Sequence, residues 1–177
     1  MSSATTESSF QTPSIKRRAL CMVYEALLLF GVGFFSISIF LMFSGVSQSN
    51  LLTHAKEAFL FLSFGVYFVY FWTKKGQTLA MQTWRIRLVN IENGRVSHGQ
   101  AALRYILSWS WFIAGYIIAK IFGLNNSALL APIFVCLAIW ITIGFFSSDK
   151  QFLHDRLAKT KLIEVPAINK KNESLPT

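Results

Sequence analysis

Residues 16–43 read KRRALCMVYEALLLFGVGFFSISIFLMF: three basic side chains, then 25 residues in which Glu25 is the one charged group. At 1.5 Å of rise per residue, a helix of that length crosses a hydrocarbon core of about 30 Å with some to spare. A secretory signal has the same basic flank, but its apolar region is about 7–15 residues long and closes on a small-residue cleavage site. This stretch is longer and has no such site, which predicts a retained membrane helix over residues 19–43.

Working outward, residues 56–73 form a second, strongly aromatic run bounded by Lys56 and Glu57 on one side and Lys74 and Lys75 on the other. Residues 105–122 and 128–146 form a third and a fourth, parted by Gly123-Leu124-Asn125-Asn126-Ser127, which is turn chemistry. Pro132 falls in the first turns of the fourth helix, where its missing N–H costs little. The fold expected is an all-α integral membrane protein with four transmembrane helices, its membrane domain covering residues 15–165. The polar ends, 1–14 and 166–177, read as disordered cytoplasmic tails.

Composition agrees with this reading. Of the 177 residues 53% are apolar or aromatic and 14% are charged, where a soluble domain carries roughly 25% charged. The net charge of +9 admits nucleic acid or an anionic membrane as partner, and its distribution decides between them. Of 17 Lys and Arg, 15 fall in residues 1–18, 73–104 and 147–177, leaving Lys56 and Lys120 on the other side. By the positive-inside rule both termini and the middle loop are cytoplasmic. The basic excess then marks topology and contact with anionic lipid headgroups, and no nucleic-acid partner is expected. Lys120 is expected to snorkel at the outer surface, and Tyr70, Trp72, Tyr105, Trp109 and Trp111 to form an aromatic belt at the inner one.

The cytoplasmic segments carry their own patterns. Trp84, Ile86 and Leu88 alternate with Arg85 and Arg87, the period of a half-buried strand. Asn93-Gly94 is a hairpin turn signal, and Ser97 with Gln100 makes a capping box opening a helix that runs through Arg104 into the third span. Ser148 with Gln151 is a second capping box, starting a short amphipathic helix with Phe152, Leu153 and Leu157 on its apolar side. Residues 161–165 then read as a strand. A short β-hairpin or strand pair plus interfacial helices makes a small cap on the membrane surface.

Few residues offer chemistry. A carboxylate deep in a span costs roughly 2.5–3.5 kcal/mol on insertion scales and marks a functional site by default. Glu25 lies seven residues beyond Arg18, about 10 Å along the helix and within about 20° of the same face. Arg18 from its own helix, or Arg104 from the start of the third span, is therefore its expected partner. Asp155 and His154, just past the last span, belong to a solvated helix or to an arginine network at the cytoplasmic mouth. Gln77 and Thr78 either cap helix ends or line that mouth. The two cysteines and three histidines make no zinc spacing, no cofactor is expected, and enzyme signatures are absent, so no catalysis is expected.

The order of motifs is distinctive: Arg17-Arg18 then Glu25, Gly76-Gln77-Thr78-Leu79, Arg87-Leu88-Val89, Ala102-Leu103-Arg104, and Leu153-His154-Asp155-Arg156-Leu157-Ala158-Lys159-Thr160. Over about residues 14–165 this resembles the RDD family of bacterial membrane proteins, named for an Arg and two Asp residues. Arg18 matches the family's Arg and Asp155 its second Asp, while Glu25 stands where the first Asp is usual. Ala80-Met81 replaces a common Gly-Lys. The resemblance implies a multi-pass protein of the bacterial inner membrane and transport, with cation/proton antiport proposed for some members. Glu25, Arg18, Arg104 and Asp155 are then the ion- or proton-coupling candidates, with Gln77, Thr78 and His154 at the mouth. Four helices leave little room for a path, so a transporter of this size is expected to be a homo-oligomer. The alternative is a non-transporting interaction or assembly protein with a structural buried ion pair.

Overall fold

The computed structural model describes residues 11–45, 49–124, 126–146 and 152–165. The Ser148 capping-box expectation and the tails at 1–10 and 166–177 lie outside the described residues. Helix α1 spans Ile15–Ser44; the Ser14 side chain caps it by accepting from the Arg17 N–H, and Gly45, at φ 68°, releases the chain. Ser49 caps α2, Asn50–Lys74, in the same way. After Gly76 and Gln77, Thr78 caps the five-residue α3, Leu79–Thr83, which leads into strand β1, Ile86–Asn90. The predicted capping box is present with both of its hydrogen bonds and opens α4, His98–Ser108. A single turn residue, Trp109, separates α4 from α5, Ser110–Ile121. Then follow a 3-10 turn over Asn126–Leu129, α6 over Leu130–Phe146, α7 over Leu153–Leu157 and β2 over Thr160–Glu164.

Two helical stretches are long and apolar enough to cross a membrane, Ile15–Ser44 and His98–Ile121; Leu130–Ile143 is apolar but shorter. Helix α2 has the length, at 25 residues, but carries His54, Lys56 and Glu57 in its first turns, which lowers its hydropathy. By length and composition, then, two of the four expected spans meet the requirement. Phe30, Phe34, Met42 and Phe43 of α1 stand exposed, as they must if lipid rather than protein is their solvent.

The densest packing lies at one end of the helices, where the strands sit. Strands β1 and β2 pair antiparallel with Leu88 opposite Leu162. Ile86 and Leu88 point inward, 2% and 1% exposed, while Arg85 and Arg87 point out, so the predicted alternation holds. They pack with Ala80 and Met81 of α3, Ala101 and Tyr105 of α4, Cys21 of α1 and Trp72 of α2. Burying each large apolar side chain here is worth about 1.5–3 kcal/mol. Residues 11–14, read from sequence as part of a loose tail, join this end: the Glu164 N–H donates to the Gln11 carbonyl at 2.8 Å, and Pro13 is fully buried.

Three expectations are corrected. Asn93-Gly94 turns, but the turn closes on Asn90, whose carbonyl accepts from the Asn93 N–H at 3.0 Å; the partner of β1 is the distant β2, not a hairpin neighbour. Trp72 and Tyr105 are buried instead of forming a belt, the Tyr105 hydroxyl donating to the Phe61 carbonyl of α2 at 2.7 Å. The apolar side expected of α7 holds for Phe152, which is buried, but not for Leu157. Leu157 is 56% exposed, while His154 and Asp155 turn inward beside Phe152, because two arginines wait there.

Helices α5 and α6 form the tight hairpin expected from the Gly/Asn break. A Cβ placed on Gly115 would lie 2.6 Å from the Ile133 Cα, and Ala119, one turn on, is completely buried. Small residues four apart let two helix backbones approach closely. Gly115→Ala is expected to cost about 1–3 kcal/mol through overpacking against backbone that cannot yield. Gly31→Ala, where an added Cβ meets nothing within 4 Å, serves as control. Thermal unfolding in detergent should separate the two; equal melting temperatures would refute the close approach.

Candidate functional site

Where the strands meet the helix ends, the chain buries four polar side chains of opposite character: Arg18, Arg104, His154 and Asp155. Arg104 comes from α4, about two turns after the Ser97 cap, and α7 turns Asp155 toward it. The Arg104 Nε donates to Asp155 Oδ1 at 2.7 Å, with Asp155 0% exposed. His154 Nε2 approaches the same oxygen at 3.3 Å. The Arg104 guanidinium also lies over the Trp72 ring, 4.3 Å from its centroid, which adds cation–π attraction and keeps water away. Arg18 sits 5.8 Å from the Phe152 ring centre and within electrostatic reach of both Asp155 and Arg104.

Charge and burial act against each other here. Burial alone would raise the Asp155 carboxyl, but Arg104, then His154 and Arg18, hold it below the ordinary carboxylate value. His154 is pushed down to about 4, first by burial and then by the two arginines, against the pull of Asp155. It is therefore neutral at pH 7 and carries its proton on Nε2, toward Asp155. Its Nδ1 and the Asp155 Oδ2 have no hydrogen-bond partner among the described residues. Trp140 of α6 stacks parallel to His154 at 4.8 Å and to Phe152 at 5.0 Å, fastening α7 to the fourth long helix.

Glu25 occupies a second place. Its Oε1 accepts from the Tyr67 hydroxyl of α2 at 2.7 Å, and its Oε2 accepts from the Thr78 hydroxyl. Among the described residues no ion pair joins it to Arg18 or Arg104, the partners expected from helix periodicity. Arg104 is committed to Asp155, although its charge still reaches Glu25 through space. Arg17, one residue before Arg18, pairs instead with Glu164 of β2.

Of the mouth candidates, Thr78 is drawn wholly into this arrangement: its hydroxyl donates to Glu25 while accepting from the Met81 N–H at 3.2 Å, and it is 0% exposed. Gln77 does not join either cluster; its side-chain amide donates to the Ile86 carbonyl at 2.7 Å and anchors the edge of β1. Tyr67, Trp72 and Trp140 escaped sequence reasoning. They lie within aromatic runs, and nothing in their spacing separates a ring that seats an arginine or a carboxylate from one that faces lipid.

No curated protein and no solved structure matches the chain. Residues 12–159 match the family model, from just before the cap of α1 to the residue before β2, and the chain belongs to the RDD family of bacterial membrane proteins.

Proposed function

We propose that this chain is a multi-pass protein of the bacterial inner membrane, with both termini in the cytoplasm, that exchanges protons against a cation through Glu25. In this reading α1, α2, α4 with α5, and α6 are the four spans. The supporting observation is the hydroxyl-only setting of the Glu25 carboxyl. Both Tyr67 and Thr78 can rotate to donate or to accept. A carboxyl held in this way can take up a proton without breaking an ion pair, and it can offer its oxygens to a cation when ionised. Arg104 and Asp155, locked to each other close by, supply a fixed field that does not itself need to move. A functional homo-oligomer supplies the path that four helices lack.

The test is flux in proteoliposomes driven by a pH step, with Na⁺ and K⁺ screened separately. Glu25→Gln keeps the shape and both hydroxyl partners, and should abolish exchange while the protein elutes and melts as the parent does. Exchange at the parent rate in that variant would overturn the proposal.

One observation favours a second reading. Of Ser108, Ser110 and Thr142, the polar candidates of the third and fourth long helices, Ser108 and Thr142 donate their hydroxyls to the Tyr105 and Ala138 carbonyls, each at 2.7 Å. Tied to their own helices in this way, they keep only oxygen lone pairs for a passing ion. On this reading the protein is an assembly or interaction protein and the buried acid is structural. No cation then moves in the flux screen, and crosslinking in native membranes recovers a defined protein partner.

A further inference from the structure

A cleft of about 460 Å³ opens between the end of α2, β1 and the loop that follows β1, away from Glu25 and Asp155. Its wall gathers Lys74 and Lys75 from the end of α2, Arg87 from the outer face of β1 and Arg95 from the loop. Cations on a helix's last turn complement its dipole, so Lys74 and Lys75 alone would have an ordinary explanation. Arg87 and Arg95 have none of that kind, since they come from other elements and converge on the same space. No carboxylate lines the cleft, and among the described residues none of these four cations is paired with one. Like charges brought together without a counterion repel, and an anion in the cleft would relieve them.

The remaining wall fits the same kind of ligand. Trp72 closes one side of the cleft, its indole N–H shielded from solvent. Gly76, at φ 67°, lines it with no side chain; a Cβ there would strike the Leu88 carbonyl at 2.7 Å, so the bare backbone is required and the space beside it stays open. The cleft also sits where the aromatic run of α2 gives way to Lys74. For a membrane protein of this family, that places it level with lipid headgroups.

We propose that this cleft binds a phosphate group, supplied by an anionic phospholipid headgroup or by free phosphate, with Arg87 and Arg95 as its principal ligands. Guanidinium groups match phosphate oxygens two at a time, which Lys cannot do. The site is independent of cation exchange at Glu25 and needs no flux to be detected.

The test uses the full chain purified in a neutral detergent, titrated with dioleoyl phosphatidylglycerol, dioleoyl phosphatidylcholine and inorganic phosphate and read by native mass spectrometry. The double variant Arg87→Gln/Arg95→Gln is compared with Lys56→Gln/Lys120→Gln, which removes equal charge elsewhere; Arg87, Arg95 and Lys120 are exposed and Lys56 is half-buried, so both should fold. Phosphatidylglycerol binding should weaken at least about tenfold in the arginine variant alone. Competition by inorganic phosphate would assign the site to free phosphate, and its failure to compete would assign it to the headgroup. Either result upholds the phosphate site. Equal loss in both double variants, or no loss in the arginine variant, overturns it.

Discussion

Replacing Asp155 with alanine is expected to cost about 3–5 kcal/mol of stability, the largest effect of any single change in the chain. The substitution leaves Arg104, 7% exposed, buried without the carboxylate to which its Nε donates. It also releases α7 from α4, while the Trp140 stack on His154 and Phe152 still holds α7 to α6. Asp155→Asn keeps the shape but not the charge, and should recover only part of the loss. A double variant, Arg104→Met with Asp155→Leu, removes both members of the pair. Such replacements are often neutral or stabilising when the new side chains pack, so the double should melt well above Asp155→Ala. Differential scanning fluorimetry in detergent decides this. An Asp155→Ala protein that melts with its parent would mean the pair is not buried as described.

Acid is expected to loosen the same junction, chiefly through His154. Its pKa falls from 6.5 in the unfolded chain to about 4 in the folded one. Above pH 6.5 both states are neutral at this position, and His154 adds no pH dependence. Between pH 6.5 and about 4 the unfolded chain binds a proton that the folded chain refuses. Stability therefore falls as the pH drops through that window, by about 3 kcal/mol if the whole shift is expressed. Asp155 acts in the same direction but lower down. Its contribution is complete above the ordinary carboxylate pKa and is lost only as pH falls through its depressed value. His154→Gln retains a donor for Asp155 but does not titrate, so its melting temperature should change much less between pH 7 and pH 4.5. A wild-type curve as flat as that of the variant would refute the assignment of the pH dependence to His154.

Much of the cap was legible because its signals are local. The Ser97–Gln100 box, the strand alternation at Ile86 and Leu88 and the turn at Gly123 each depend on a few consecutive residues, and each appears where expected. The inward face of α7 stayed open between a solvated helix and an arginine network for the opposite reason. Taken alone, Leu153-His154-Asp155-Arg156-Leu157 buries its leucines. Only the presence of Arg104 and Arg18 on the far side makes burial of His154 and Asp155 the lower-energy choice. Gly115 was likewise silent in sequence, since a glycine in an apolar helix has meaning only once Ile133 is set against it.

By itself the sequence determined the long apolar helices, most of their caps, the uneven spread of basic residues along the chain, and the short roster of ionisable groups able to do chemistry. These follow from composition and period, which act within one element. The tertiary structure alone decided who meets whom: Arg104 goes to Asp155, 51 residues away, and Glu25 goes to Tyr67 and Thr78. Helix periodicity says which residues share a face, but the depth and rotation at which one helix meets the next are set by packing over the whole bundle. A buried charge takes the partner that this packing brings within about 3 Å, whichever partner its own helix had offered.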